Sequence, residues 1–183
     1  MDNAAYRVND TDRCYHCKSA LMDVVEPVAD EHELIVVLGV NTDDLGDHRP
    51  GQLQLKNATR GFRWLKLASQ KGREGTQKQL GLRTWDKPAA ACLASRIPYG
   101  TQVSVPLLRR LDRAESALKD LGFHQLRVRD YGEMLGWNWT WLNCPWRWTA
   151  KFEIVEAVRS VGYQYVTLDL EGFRSGNLNR SIQ

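Results

Sequence analysis

The sequence predicts an α/β fold, and two features of the chain support that prediction. The first is LIVVLGV at positions 34–40, a short continuous apolar run typical of a strand buried on both faces of a parallel sheet. The second is a repeated order of helix, glycine, aromatic residue and strand, found at positions 105–130 and again at 152–170. Two such units predict a small α+β layer, with the sheet on one side and the helices on the other.

Length and composition restrict the class of protein. The 183 residues are enough for one full domain or for one and a half. A hydrophobic fraction of 43% is typical of a globular protein, and no apolar run is long enough to span a membrane. Because MDNAAYRVNDTDR at the start has no apolar signal region, we expect a cytoplasmic protein. The net charge of +3 suits anionic small molecules as readily as nucleic acid.

Two helices are predicted from apolar residues at helical spacing. The first begins just after Cys17 and is bent or ended by Pro27, and its buried face would consist of Ala20, Leu21, Val24, Val25 and Val28. The second covers VPLLRRLDRAESALKDLG and stops at Gly122, and its apolar positions are Leu107, Leu108, Leu111, Ala114, Leu118 and Leu121.

The loop NTDDLGDHRPG follows the predicted LIVVLGV strand and carries Asp43 and Asp44. Ligands of open α/β sheets bind at the carboxyl ends of the strands, so these two carboxylates are candidates for the nucleotide side of a site. A solvated loop rich in turn-forming residues is the equally good alternative.

Arg127 and Arg129 lie two residues apart in the predicted strand FHQLRVRD. Side chains alternate across a strand, so both arginines belong to one face. Two guanidinium groups on one face can hold a phosphate or a carboxylate with forked hydrogen bonds. A solvent-facing sheet edge is the alternative interpretation.

Three cysteines are candidates for metal or sulfur chemistry. Cys14 and Cys17 have C-x-x-C spacing, which suits ligation of one ion or cluster, or a redox dithiol. Cys92 lies in WDKPAAACLASR, among small residues and close to Arg96, a setting that favours either a reactive thiolate or a small buried side chain. Three thiolates would leave one position open on a four-iron cluster.

Several motifs together resemble one family. They are DRCYHCK, GVNTDDLGDHRPG, TWDKPAAACLASRIPYGT, LRVRDYGE and YVTLDLEGFRSGNLN, and in this order they resemble the LarE family of ATP-dependent sulfur transferases in the PP-loop pyrophosphatase superfamily. The resemblance implies a Rossmann-like PP-loop domain over 1–100 and a small α+β domain over 101–183. It also implies adenylylation of a carboxylate of pyridinium bis-carboxylate mononucleotide, followed by sulfur transfer, in nickel-pincer nucleotide biosynthesis.

The resemblance also implies site residues and partners. Cys92 would supply the sulfur, either as a sacrificial donor or by joining Cys14 and Cys17 around a 4Fe-4S cluster. The substrate-binding residues implied are Ser95, Arg96, Glu115, Arg127, Arg129 and Arg174. ATP and Mg²⁺ would be required, the substrate would be a small-molecule nucleotide, and the protein would be a homo-oligomer with no membrane or nucleic-acid partner.

Three stretches depart from the family pattern. The family begins with a strand and an S-G-G-x-D-S loop that cradles pyrophosphate at a helix N-terminus, and these 183 residues contain no such motif. We therefore expect the chain to begin within the ATP domain and to be inactive as written. The tryptophan-rich stretch 135–150 and residues 62–78 each admit a neighbouring reading frame that resembles the family, so we expect both to lack a stable place in the core. A surface for single-stranded nucleic acid or a membrane patch is the alternative for 135–150.

Two further functions stay open at this point. One is a PP-loop tRNA thiolase, which also uses three cysteines and a cluster, although the mild charge argues against it. The other is a non-catalytic remnant that binds a nucleotide or an iron–sulfur cluster without turnover.

Overall fold

The computed structural model describes residues 3–41, 63–67, 70–85, 91–123, 125–139 and 150–172. The chain forms two compact units, one made of Met1–Asp10 with Ala90–Gln183 and the other of Thr11–Ala89. The boundary expected at residue 100 therefore falls inside the first unit. The assignment of an ATP domain and a substrate domain to these parts stays a prediction.

The 11–89 unit contains a long helix and a parallel strand pair. Its elements are helix α2 (Arg13–Glu31), strands β1 (Val37–Asn41) and β2 (Arg63–Leu67), and helix α3 (Gln70–Gln79). Val37 pairs with Arg63 in parallel register, so the predicted parallel strand is present but begins three residues later than the LIVVLGV run. Leu34, Ile35 and Val37 are exposed, so the expectation of a strand buried on both faces is wrong for these residues. Strand β2 and most of helix α3 lie within the stretch 62–78, which was expected to lack a stable place in the core. The described residues of α3 are exposed or half-buried, in agreement with that expectation.

Helix α2 differs from the predicted helix in its start, its end and its exposed face. It begins at Arg13, before Cys14, because no helix breaker separates the two cysteines, and it continues past Pro27 to Glu31. A proline inside a helix removes one hydrogen bond without ending the helix in every case. The apolar face was also predicted wrongly: Met22 and Ala29 are buried, whereas Leu21, Val24 and Val28 are exposed.

The other unit has two helices on a mixed three-stranded sheet. Its elements are helix α1 (Ala4–Val8), a 3₁₀ turn (Leu93–Arg96), helix α4 (Val105–Asp120), strands β3 (Leu126–Tyr131) and β4 (Met134–Trp139), helix α5 (Lys151–Ser160) and strand β5 (Tyr165–Leu168). The strand order is β3-β4-β5, antiparallel between the first two and parallel between the last two. The two predicted helix–strand units are confirmed as α4–β3 and α5–β5.

Helix α4 follows the predicted period closely. Ser104 caps its first turn by accepting a hydrogen bond from the backbone N–H of Leu107, and a proline occupies the first turn, where a missing N–H costs little. Leu111, Ala114 and Leu118 are buried against the sheet, as their spacing predicts. The helix therefore positions Glu115 on the same inward side.

Two of the clustered tryptophans lie in the core. Trp137 and Trp139 are 4% and 6% exposed, and the Trp139 ring stacks on Phe123 with 4.8 Å between ring centroids. Strand β4 pairs on both sides, with β3 and with β5. The expectation that 135–150 lacks a place in the core is therefore wrong for 135–139, because alternating large apolar residues suit a buried strand face. The other clustered tryptophans, Trp141, Trp146 and Trp148, lie outside the described residues.

Within the described residues, no helix is long and apolar enough to cross a membrane.

Candidate functional site

Cys92 lies directly before the 3₁₀ turn, with extended backbone at φ −63° and ψ 150°. Its thiol is exposed, which excludes the alternative of a small buried side chain. Ser95 bonds back to this residue: its Oγ donates to the Cys92 carbonyl oxygen at 2.7 Å, and its backbone N–H donates to the same oxygen at 3.0 Å. The turn therefore holds the Cys92 backbone and leaves the sulfur accessible.

Arg96 ties this turn to helix α4. The Arg96 side chain is buried, and its Nε donates to Oε1 of Glu115 at 2.8 Å while Nη2 lies 3.4 Å from Oε2. Its Nη1 donates to the carbonyl oxygens of Ala91 at 3.0 Å and Cys92 at 3.3 Å, and to Ser95 Oγ at 3.0 Å. A forked, buried guanidinium–carboxylate pair is geometrically specific, so it fixes the turn relative to α4.

Glu115 also closes the open edge of strand β3. Its Oε1 accepts a hydrogen bond from the backbone N–H of Val128 at 3.4 Å. Lys119, one helical turn further on, places its Nζ 3.8 Å from Oε2, but that lysine is half exposed and contributes little. Because edge strands leave N–H groups unpaired, this carboxylate covers a donor while holding Arg96. One side chain thus joins the Cys92 turn, α4 and β3.

Arg127 and Arg129 share one face of β3, as predicted. Burial alternates along this strand, with Leu126 and Val128 in the core and the two arginines half-buried on the opposite side. Burial lowers the pKa of Arg127 below its ordinary value. The positive charges of Arg96 and Arg129 lower the same pKa further, while Glu115 raises it. Arg96, Arg129 and Glu115 are therefore charged neighbours that act on Arg127.

Cys14 and Cys17 lie in the other unit, in the first turns of α2. Both thiols are exposed, and a spacing of three residues puts them on the same face of the helix. Two thiolates so placed have the chemistry to ligate one iron–sulfur cluster, and a redox dithiol suits the same spacing. Within the described part of the chain, no group of three or more His, Cys, Asp or Glu side chains is arranged around a metal position. A cluster shared with Cys92 stays a prediction.

Other predicted site residues fall outside the described residues. They are Asp43, Asp44 and Arg174. The residues that the structure brings together are those of the 90–183 segment, namely Cys92, Ser95, Arg96, Glu115 and Arg127.

Sequence reasoning missed a buried polar group directly after Arg129. Asp130 is 2% exposed, and its Oδ2 accepts hydrogen bonds from Arg110 and from the Tyr163 hydroxyl, the latter at 2.7 Å. Burial and the neighbouring Asp130 raise the pKa of Tyr163 above its ordinary value. The signal was available: Asp130 falls on the apolar face of β3, where a carboxylate needs partners.

Comparison with known proteins identifies the family. The chain is 41% identical to the uncharacterised protein slr1717 of Synechocystis over its whole length, which covers 69% of that protein. It is 29% identical to the pyridinium-3,5-bisthiocarboxylic acid mononucleotide synthase of Lactiplantibacillus plantarum, with 95% of the chain and 64% of the synthase covered. The chain belongs to this LarE-like family.

The same LarE-like chain is also similar to a more distant archaeal protein. It is 28% identical to the uncharacterised protein MJ0830 of Methanocaldococcus jannaschii, with 91% of the chain and 66% of that protein covered. The chain thus spans about two thirds of the length of the curated relatives it matches. No protein-family model matches the chain.

Proposed function

We propose that this LarE-like chain carries the sulfur-delivering and substrate-binding parts of an ATP-dependent sulfur transferase. Its substrate would be pyridinium bis-carboxylate mononucleotide, and its product would serve nickel-pincer nucleotide biosynthesis. The observation that carries the proposal is the buried Arg96–Glu115 pair. That pair holds an exposed cysteine beside the strand that bears Arg127, and the similarity to the Lactiplantibacillus synthase supports the substrate class.

The proposed reaction needs an activated substrate carboxylate next to the Cys92 thiol. ATP would convert the substrate carboxylate to an acyl-adenylate, with pyrophosphate leaving. The Cys92 sulfur, as the thiolate, attacks the carboxyl carbon, the bond from that carbon to the phosphate oxygen breaks, and AMP leaves with the electron pair. Loss of the Cys92 Cα proton then breaks the Cβ–Sγ bond, so the product thiocarboxylate departs with the sulfur and dehydroalanine is left. Arg96 restrains the turn through two backbone carbonyls during these steps.

Arg127 and Arg129 are suited to the substrate phosphate. Phosphate oxygens accept forked hydrogen bonds from guanidinium groups, and the two arginines share one face of β3. Ser95 is hydrogen-bonded to the Cys92 carbonyl, so its role here is to shape the turn. ATP and Mg²⁺ would be bound by parts of the protein that include the loop with Asp43 and Asp44.

The cysteine pair offers a second way to supply sulfur. Cys14 and Cys17, with Cys92 as third ligand, would hold a 4Fe-4S cluster. When bound, such a cluster supplies a free iron position for a reloadable hydrosulfide. The exposed thiols of all three residues support this ligand set.

Substrate affinity tests the binding part of the proposal. Titration calorimetry with pyridinium-3,5-biscarboxylic acid mononucleotide should show binding to the wild-type chain that is about tenfold or more weaker in Arg127→Ala, because a hydrogen bond to a charged group contributes about 1.5–3 kcal/mol. Arg109→Ala, which removes an exposed arginine of α4, is the matched control and should bind normally. Equal affinity in Arg127→Ala and wild type would contradict the proposed phosphate site.

Cluster loading tests the sulfur source. After anaerobic reconstitution with iron and sulfide, Cys14→Ala, Cys17→Ala and Cys92→Ala should each lose iron and acid-labile sulfide. Cys144→Ala is the control and should load like the wild type. Full cluster content in Cys92→Ala would refute the shared cluster and leave Cys92 as a sacrificial donor, which a protein mass lower by one H₂S after turnover would then confirm.

A further inference from the structure

Asn9, in the turn after α1, is completely buried. Its backbone is left-handed, at φ 62° and ψ 46°, a conformation that asparagine tolerates better than most residues. Its side chain is 0% exposed, although a buried amide loses its water partners and must find others. The position is therefore costly unless the amide is well bonded within the fold.

The Asn9 amide is bonded to a distant turn. Its Nδ2 donates to the carbonyl oxygens of Pro98 at 2.7 Å and Thr101 at 2.8 Å, with that of Ile97 at 3.4 Å. The backbone carbonyl oxygen of Asn9 accepts a hydrogen bond from the Gly100 N–H at 3.0 Å. An amide nitrogen carries two hydrogens, so the third carbonyl shares a donor. The carbonyl oxygens of Pro98 and Thr101 are thus held by one side chain that is remote in sequence, and the Asn9 backbone adds the bond to Gly100.

This held turn continues directly from the Cys92 turn. The N–H of Ile97 donates to the Ala94 carbonyl at 3.2 Å and closes the 3₁₀ turn. Ile97 itself is 0% exposed. The Arg96–Glu115 pair fixes this short segment toward α4, and Asn9 fixes the carbonyls that follow it. Two independent attachments therefore restrain a segment of only a few residues that ends in an exposed thiol.

We propose that Asn9 is a positioning residue for Cys92, acting by holding the 97–101 turn. The inference rests on the proposed function in so far as Cys92 delivers sulfur. Asparagine suits the task because it supplies two donors and accepts the left-handed backbone. Aspartate has the same shape but would present a carboxylate to three carbonyl oxygens, and glycine would keep the backbone while removing the donors.

Hydrogen–deuterium exchange of the 183-residue chain tests the restraint without requiring turnover. In Asn9→Gly and Asn9→Asp, amides in 93–101 should exchange about tenfold or more faster, since the loss of these buried hydrogen bonds favours local opening of the turn. The β3–β4 hairpin, 126–139, should exchange as in the wild type. Asn9→Asp serves if Asn9→Gly does not fold.

A general loss of stability must be separated from a local one. Val158→Ala, a cavity variant in α5 at a fully buried position, is the control. Each variant is measured at the same number of degrees below its own melting temperature. Val158→Ala should leave both the exchange of 93–101 and the alkylation rate of Cys92 by iodoacetamide unchanged, whereas the Asn9 variants should change both. If the Asn9 variants behave like Val158→Ala, the positioning role is refuted. If the wild-type chain does not bind the substrate, the proposed function is refuted, but the exchange and alkylation results for Asn9 still hold.

Discussion

The two compact units differ in how much apolar surface they bury. In the 90–183 segment, one cluster of buried residues runs from Ala94 to Tyr163 and joins both helices to the sheet. In the described part of 11–89, the buried apolar side chains are Met22 and Ala29. Val24 of helix α2 is 68% exposed. Packing therefore contributes far more to the first unit than to the described part of the second.

This difference bears on where chemistry can be held accurately. A buried large apolar side chain contributes about 1.5–3 kcal/mol, and a tightly packed core transmits restraint to the groups attached to it. The Arg96–Glu115 pair and the Asn9 amide both attach the Cys92 turn to that core. Cys14 and Cys17 lie instead on an exposed helix surface, where side chains adjust more easily to a ligand.

The largest expected effect is at Trp137. Replacement by alanine should lower the free energy of unfolding by about 3–5 kcal/mol, because the side chain is buried against Phe123 and Trp139 and would leave a cavity. Urea denaturation followed by circular dichroism measures the change. The result also tests whether strand β4, with its tryptophans, belongs to the core.

Trp85→Ala is the matched control for this prediction. Trp85 is 37% exposed and lies in the 11–89 unit, where Lys78 approaches its ring at 4.8 Å. Its replacement should cost no more than about 1 kcal/mol. Equal losses for the two tryptophans would contradict the comparison between the units.

The sequence predicted the regular parts of the 90–183 segment well. Helices α4 and α5 and strands β3 and β5 follow strong periods of 3.6 and 2, and their glycines stop the helices where expected. Strand β4 was missed because a reading-frame argument was given more weight than the alternation of Leu135, Trp137 and Trp139. Helix α3 was missed because Gly72 and Gly75 lower helix propensity.

Individual site residues were predicted, but the contacts between them were not, because the partners are far apart in sequence. Cys92, Arg96 and Arg127 were identified from local sequence and Glu115 by resemblance, but the bonds between them depend on how α4 packs on β3. Asn9 bonds to carbonyls about ninety positions away, and no local pattern encodes such a contact. Long-range polar contacts of this kind follow from the packed fold, whereas the periodic elements follow from local sequence.

Loss of the buried Tyr163 hydroxyl should have a smaller effect on the free energy of unfolding, and it also tests the difference between the two units. Tyr163→Phe removes a hydrogen bond to the Asp130 carboxylate and should cost about 1.5–3 kcal/mol near neutral pH. Tyr15→Phe in the 11–89 unit, where the ring contacts His16, is the control and should cost less than about 0.5 kcal/mol. Urea unfolding of each variant beside the wild type provides both values.

The pH dependence of the stability lost in Tyr163→Phe separates the contribution of the hydroxyl from that of the aromatic ring. Burial, followed by the hydrogen bond to Asp130 and its charge, raises the pKa of Tyr163 in the folded state above the ordinary value of 10.0. The folded state therefore favours the neutral phenol, so its contribution is fully present below pH 10.0 and decreases as the pH rises above that value. The difference between wild type and Tyr163→Phe should be constant below that pH and shrink above it, because phenylalanine has no proton to lose. Other groups titrate alike in both proteins and cancel in the difference. A gap that stays the same up to about pH 11 would contradict the raised pKa of Tyr163 in the folded state.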